Sequence, residues 1–414
     1  MENVTIIGGG IIGLCSAYYL NKENYDVTVI ERGDITDGCS FGNMGFISPS
    51  HFVPLASPGI ISEGIRYMLS SSSPFYVKPR LNRDFLDWGY QFYKNSKALN
   101  SKKNALSLHN ILQLSRSLIG DLKADLGDTF DLEEKGCLMI CKHKAILDHE
   151  FEMSEVAEKM GLKTECLNEV QVQQLEPDVE MAVSGAVLFK DDCHFDPGKL
   201  MKELKKYLES TGVKFQLGIT VSGFKKEKNK ITGVITDKGN FPCNNLVVST
   251  GSWLPVISKM LGVKLLLQPG KGYSYTYEHV QKNVRYPAIM VDGRCAISPW
   301  GHKLRIGGTM ELSGINGIVL EKRMQGIYNS AKSFYPGLKI ESPVKEKIWH
   351  GLRPVTPDGL PYIGSVQNLD NVVFAGGHAM LGVSLGTGTG KLVSQLVQKK
   401  KTAIDVTPFL PARF

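Results

Sequence analysis

The stretch "VTIIGGGIIGLCSAYYL", residues 4–20, narrows the possible folds more than any other part of the chain. Val4 to Ile7 is a short apolar run suited to a strand buried on both faces. Gly8, Gly10 and Gly13 then fall at G-x-G-x-x-G spacing, and Leu14 to Leu20 continues with helical character. A second strand, "DVTVIE", ends at Glu31, eighteen residues beyond Gly13, with Arg32 next to it. Glycines of this spacing permit a tight turn and let a pyrophosphate approach the helix N-terminus, while an acid closing the second strand can take both ribose hydroxyls. A lone G-x-G-x-x-G is a weak signal. Strand, glycines, helix, strand and acid in this order predict a Rossmann-like parallel α/β unit that binds a dinucleotide. The run is also uncharged, but Glu2 stands where a targeting segment would be positive and three consecutive glycines interrupt any helix, so it is not read as a membrane span. The uncharged stretch 371–390 is equally glycine-broken.

The 414 residues suggest two domains, and 42% hydrophobic with 21% charged residues describes an ordinary globular protein. Net charge is +7, but lysines are scattered or sit late in a helix, as Lys399 to Lys401 do, and no nucleic-acid-binding signature occurs. Eight cysteines show no disulfide framework, and Cys137 and Cys141 lack partners for a zinc site. Reduced thiols, a cytoplasmic setting and no bound metal are expected.

Two later segments favour FAD over NAD. "NNLVVSTGSWLP", residues 244–255, reads as a buried strand ending at Thr250 and Gly251, with Trp253 just beyond. "NVVFAGGHAMLGVSLGTGTGKLVSQL", residues 371–396, is a buried strand, a glycine turn and a helix. Both can return the chain to the first sheet, and the second offers another helix N-terminus to the pyrimidine end of a flavin.

"GLRPVTPDGLPYIG", residues 351–364, sets Arg353 among prolines and glycines with Asp358 as its nearest acid. A planar guanidinium held on such a frame usually meets an anion. A structural ion pair with Asp358 is the alternative.

Taken together, "IIGGGIIGLCSAYYL", "CSFGNMGFISPSHFVPLASPG", "VVSTGSWL", "GLRPVTPDGLPYIG" and "GGHAMLGVSLGTGTGKL" resemble, in order and over nearly the whole chain, the D-amino-acid oxidase superfamily of FAD enzymes. The bacterial D-amino-acid dehydrogenases are the nearest resemblance. The resemblance implies that Ser40, Asn43 and Gly45 line pyrophosphate and flavin, with the Phe46 backbone near the reactive nitrogen. Val221 would meet adenine; Thr250 and Gly251 would pass the middle of the cofactor; Gly377, His378 and Gly382 would sit by the flavin pyrimidine. Arg353 would bind the substrate carboxylate. A tyrosine over the substrate is expected among Tyr273, Tyr275 and Tyr277, with Tyr273 preferred, and His51 follows the flavin-lining segment. Covalent relatives carry a cysteine close to "KIWHGLRP", which has none here, so FAD is expected to be non-covalent.

The implied architecture is an FAD domain from residues 1–50, 195–260 and 350–414, interleaved with a substrate domain from 51–194 and 262–349. The second domain is expected to be richer in antiparallel strands, with a hairpin turning at Gly293 and a helical stretch from Leu106 to Leu126 outside. The implied reaction is hydride removal from the amine-bearing carbon of an amino acid, without a dedicated base. His194 is expected to be structural. Cyclic or N-methyl amino acids, a non-catalytic FAD protein and an NAD enzyme are the rival readings. The electron acceptor, a quinone, oxygen or another redox partner, stays open. So does a peripheral contact with the inner face of a bacterial membrane through the segment 59–79.

Overall fold

A computed structural model describes residues 2–67, 73–80 and 82–414. Its first sheet has six strands in the order Tyr362–Gly364, Val372–Gly376, Asn245–Val248, Asn3–Ile7, Asp26–Glu31 and Lys214–Leu217. All pair in parallel except the edge strand Tyr362–Gly364. Val4, Ile6, Val27, Val29, Val247 and Val248 are all buried, which is why these strands read as unbroken apolar runs rather than alternating ones.

The helix Ile11–Lys22 is buried continuously from Ile11 to Leu20. One side packs on the sheet cluster and another on the helix Gly386–Val397. The glycines of "GTGTG" make that second contact possible: a Cβ at Gly390 would lie 2.5 Å from the Cys15 backbone. Gly388 faces the long helix Ala98–Leu126, where its N–H donates to Ser115 Oγ at 3.2 Å.

The larger sheet runs Trp349–Val355, Gln268–Tyr277, Lys303–Leu312, Cys295–Trp300, Ala288–Met290, Cys137–Cys141, Gly185–Phe189 and Thr164–Asn168, with Phe75–Val77 added beside Lys303–Leu312. It is mostly antiparallel, and the expected hairpin pairs Ala288–Met290 with Cys295–Trp300 around Gly293. The strand Trp349–Val355 belongs to this sheet through its ladder with Gln268–Tyr277, so the sequence boundary at 350 falls inside a strand. Residues 221–242 form a separate antiparallel meander. A two-stranded ribbon joins Phe46–Ile47 to Cys193–His194.

No helix among the described residues is long and apolar enough to cross a membrane. Of the segment 59–79, the helix Ile60–Tyr67 and the strand Phe75–Val77 are described, and residues 68–72 lie outside the described residues.

Candidate functional site

A cavity of about 580 Å³ opens at the carboxyl ends of the parallel strands, the place where open α/β sheets bind ligands. Its wall includes Gly8, Gly10, Glu31, Arg32, Ser40, Val221, Thr250, Gly251, Trp253, His378 and Gly382. Sequence reasoning had singled out each of these.

The strand–helix turn explains the first glycines. Gly8 has φ +104°, and a Cβ there would lie 2.5 Å from the Ser249 carbonyl oxygen. Gly13 is not on the wall; a Cβ there would overlap the Gly8 carbonyl oxygen, so this glycine serves the close packing of helix on strand. The first free N–H of the helix, at Ile11, donates to Ser40 Oγ at 3.2 Å. Glu31 accepts from the Gly9 and Gly33 N–H groups at 2.7 and 2.8 Å, which fixes its carboxylate at the end of its strand. Arg32 stacks on Trp253 with 4.4 Å to the ring centroid, a flat apolar surface beside Val221.

Thr250 Oγ1 is buried on this wall without a hydrogen-bond partner among the described residues. A buried hydroxyl left unpaired is costly, and a ligand atom on this wall would satisfy it. Thr250→Val should weaken cofactor affinity roughly 5- to 10-fold, the worth of one hydrogen bond, and leave the apoprotein at least as stable. Calorimetric titration checks this, and equal affinity would remove the assignment.

At the other end, Gly377 has φ +82° and a Cβ there would lie 2.5 Å from Thr356 Cγ2; it makes the turn from behind the wall. His378 is buried, its Nε2 lies 3.0 Å from Thr389 Oγ1, and burial pushes its pKa down to about 3. A histidine held neutral in the fold but protonated near 6.5 when unfolded gives stability that is present above pH 6.5 and lost as pH falls toward about 3. His378→Gln should therefore move the acid-unfolding midpoint, followed by tryptophan fluorescence, to lower pH. An unmoved midpoint would contradict the burial argument.

Asn43, Gly45 and Phe46 lie outside the cavity wall. Asn43 Oδ1 accepts from the Gly45 N–H at 2.9 Å, and the Phe46 carbonyl accepts from Ser384 Oγ at 2.6 Å. Their segment lies across the larger sheet instead, where Ser274 Oγ donates to the Gly42 carbonyl at 3.0 Å. The helix Gly386–Val397 also stays off the wall, so its glycines do packing work rather than presenting a dipole there.

Arg353 sits on the edge strand Trp349–Val355, whose Leu352 and Pro354 line the cavity; Arg353 itself is buried behind that wall. Its guanidinium donates to the Thr309 carbonyl and, at 3.4 Å, to that of Gly308. Thr309 itself has φ +68°, rare for a β-branched residue, at a bulge in the ladder to Gln268–Tyr277. A side chain at Gly272 would overlap the guanidinium. Asp358 is not its partner: Arg413 holds that carboxylate at 2.7 Å. Burial pushes the Arg353 pKa down to about 10, as expected for a cation meeting only carbonyls.

The same ladder corrects the tyrosine expectation. Arg353 pairs with Gly270, so even-numbered residues of Gln268–Tyr277 share its face and the odd ones project to the other. Tyr273, Tyr275 and Tyr277 are all odd. Tyr273 is buried in the opposite core, donating to Glu311 Oε2 at 2.8 Å, and burial raises its pKa.

His51 is likewise off the cavity wall. Its Nδ1 lies 3.0 Å from Ser50 Oγ, which donates to Asp192 Oδ2 at 2.6 Å, and burial pushes the imidazole down to about 4. His194 is buried against the Pro299 carbonyl at 2.9 Å, a structural place. No cluster among the described residues has the makings of a metal site. Sequence reasoning missed Gly272, Thr309 and Arg305, the last a buried arginine on the larger sheet. "KLRIGGTMEL" carries no local signal that separates Arg305 from a solvated strand charge.

Residues 3–396 match the family described as DAO, FAD dependent oxidoreductase. The D-amino acid dehydrogenase of Granulibacter bethesdensis is 30% identical over 417 residues, covering 99% of both chains. That of Allorhizobium ampelinum is 30% identical over 418 residues, covering 99% of this chain and 98% of its own. Among solved structures, glycine oxidase from Geobacillus kaustophilus superposes with a TM-score of 0.79 at 22% identity, covering 100% of both chains. L-proline dehydrogenase from P. horikoshii gives 0.77 at 20%, covering 100% of this chain and 97% of that one. These two share the fold. The chain belongs to the DAO family of FAD-dependent oxidoreductases. The wall fits that cofactor: it carries a glycine cradle, the Glu31 carboxylate, an aromatic shelf and an orphan hydroxyl.

Proposed function

We propose that the protein oxidises an amino acid, a D-amino acid first of all, at the carbon bearing the amine, to an imino acid that water converts to 2-oxo acid and ammonia. The observation that carries this is Arg353, a buried guanidinium whose partners are backbone carbonyls, on the strand whose Leu352 and Pro354 line the cavity. Its fork suits a carboxylate, and the Thr309 bulge with the Gly272 floor holds it in one plane. The full-length relatives named D-amino acid dehydrogenase support the choice of substrate class. Bound FAD would accept the hydride. The protein's part is then to anchor the carboxylate, present one face of the substrate carbon and keep water out. No side-chain base is assigned, because a neutral amine assists departure of the hydride with its own lone pair.

FAD is held without a covalent bond in this reading. Cys39 is the cysteine on the cavity wall, and burial raises its pKa, which keeps it a poorly nucleophilic thiol. Acid precipitation should release all of the flavin, and colour left on the pellet would count against it. The substrate reading is tested by anaerobic bleaching of the flavin with D-, L-, cyclic and N-methyl amino acids. Bleaching fastest by a D-amino acid supports it. Bleaching only by proline-like or N-methyl substrates moves the assignment to those, and none by any would leave a binding protein.

A further inference from the structure

Arg305 is buried, yet like Arg353 it forms no ion pair with a carboxylate among the described residues. It projects from the strand Lys303–Leu312 on the face of the larger sheet that carries Ser298, with which it pairs. There its Nη1 donates to the carbonyls of Asn43 at 2.5 Å and Phe41 at 3.4 Å, and its Nε to Thr276 Oγ1 at 2.9 Å. Two serines of the same face take the carbonyls in between and beyond: Ser274 holds Gly42 at 3.0 Å and Ser298 holds Met44 at 2.7 Å. Four successive carbonyls thus turn toward the sheet. The floor is cleared for them by Gly307, where a Cβ would lie 2.6 Å from Met44 Sδ, and by Gly351, where it would lie 2.9 Å from Cys39 Cβ.

The other end of this stretch is on the cavity wall, where Cys39 and Ser40 stand and Ser40 receives the helix N–H of Ile11. From the middle, Asn43 Nδ2 reaches the Met380 carbonyl at 3.4 Å, next to the turn that carries Gly382. The stretch thus starts on the cavity wall at Cys39 and Ser40 and is tied, at Asn43, to the residue next to Ala379 of the wall.

We propose that Arg305 is a positioning residue for the cofactor, acting through the Phe41–Met44 carbonyls to set the part of the wall formed by Cys39 and Ser40. A serine hydroxyl can hold one carbonyl with a neutral bond. Arg305 bridges two with charge-assisted bonds, so it governs the arrangement. The proposal rests on the reading of the cavity as an FAD site.

The test uses the whole chain, with FAD affinity followed by titrating apoprotein and apo-state melting measured alongside. Arg305→Met should weaken FAD binding by roughly 30-fold, and Arg305→Lys, which keeps the charge but not the bridging fork, by roughly 5-fold. Guanidinium ion added to Arg305→Met should restore part of the affinity. A residue that only supports the core would lower the melting temperature and show no such graded series or rescue. Wild-type protein that takes up no FAD overturns the reading of the site itself. Wild type that binds FAD with Arg305→Met equal to it within twofold overturns the role of Arg305. If Arg305→Met does not fold, Arg305→Lys and Ser298→Ala decide: both must weaken FAD binding at least roughly threefold, and unchanged affinity in either refutes the clamp.

Discussion

Arg353→Ala should lower kcat/KM for amino acids by about 10²- to 10⁴-fold while FAD binding stays within a factor of two of the parent protein. The magnitude follows from losing a desolvated, hydrogen-bonded charge pair with the substrate carboxylate, about 3–5 kcal/mol, at 1.36 kcal/mol per decade. The groups assigned to the cofactor, Gly8, Glu31, Thr250 and Trp253, line the cavity wall, and Arg353 does not. Stability should move the other way from activity. Arg353 is a cation that burial disfavours and that carbonyls alone compensate. Its removal relieves that cost, so the apoprotein should melt at the same temperature or higher. Arg353→Lys should recover only part of the activity, since an ammonium has no planar fork. Steady-state kinetics with a dye acceptor, flavin content and melting curves together check this. Normal kinetics in Arg353→Ala would remove the residue from the site.

Gly390→Leu should cost about 3 kcal/mol or more, because the clash is with backbone. A Cβ at Gly390 would lie 2.5 Å from both the carbonyl carbon and oxygen of Cys15, and no rotamer change relieves that. The melting temperature should fall by roughly 5–10 °C, or the chain should become insoluble. Lys399→Ala, on an exposed residue past the helix end, is the control. A Gly390→Leu protein melting within about 1 °C of the parent would show that the two helices can separate at no cost, contrary to overpacking.

The contrast between these glycines and those at the amino end shows what the sequence could tell. Gly8 and Gly10 sit between an apolar run and a helical stretch adjacent in sequence, so local order was enough to predict a dinucleotide-binding turn, and both glycines line the cavity. Gly386, Gly388 and Gly390 looked similar in composition, in a helix whose N-terminus was expected to point at the pyrimidine end of a flavin. Their reason lies in Cys15 and Ser115, hundreds of residues away, and no local pattern encodes that. The tyrosines of "GKGYSYTY" were undecidable for a related reason. Which face each occupies depends on the pairing of Gly270 with Arg353, a register between distant strands. Arg353 could be singled out because prolines and glycines shape its surroundings locally. The carbonyls that orient it come from a bulge at Thr309 whose left-handed backbone would ordinarily be expected only of glycine. Arg305 is one charge among many until strand pairing buries it.

The parallel sheet draws its strands from residues 3–31, 214–217, 245–248 and 362–376, so Asn3–Ile7 must wait for Asn245–Val248, which in turn must wait for Val372–Gly376. Contacts of such long sequence separation form slowly. Prosthetic-group capture is thus a late event in the life of each new chain, and a chain cut short before residue 372 would lack one wall of its cavity however well the rest had condensed.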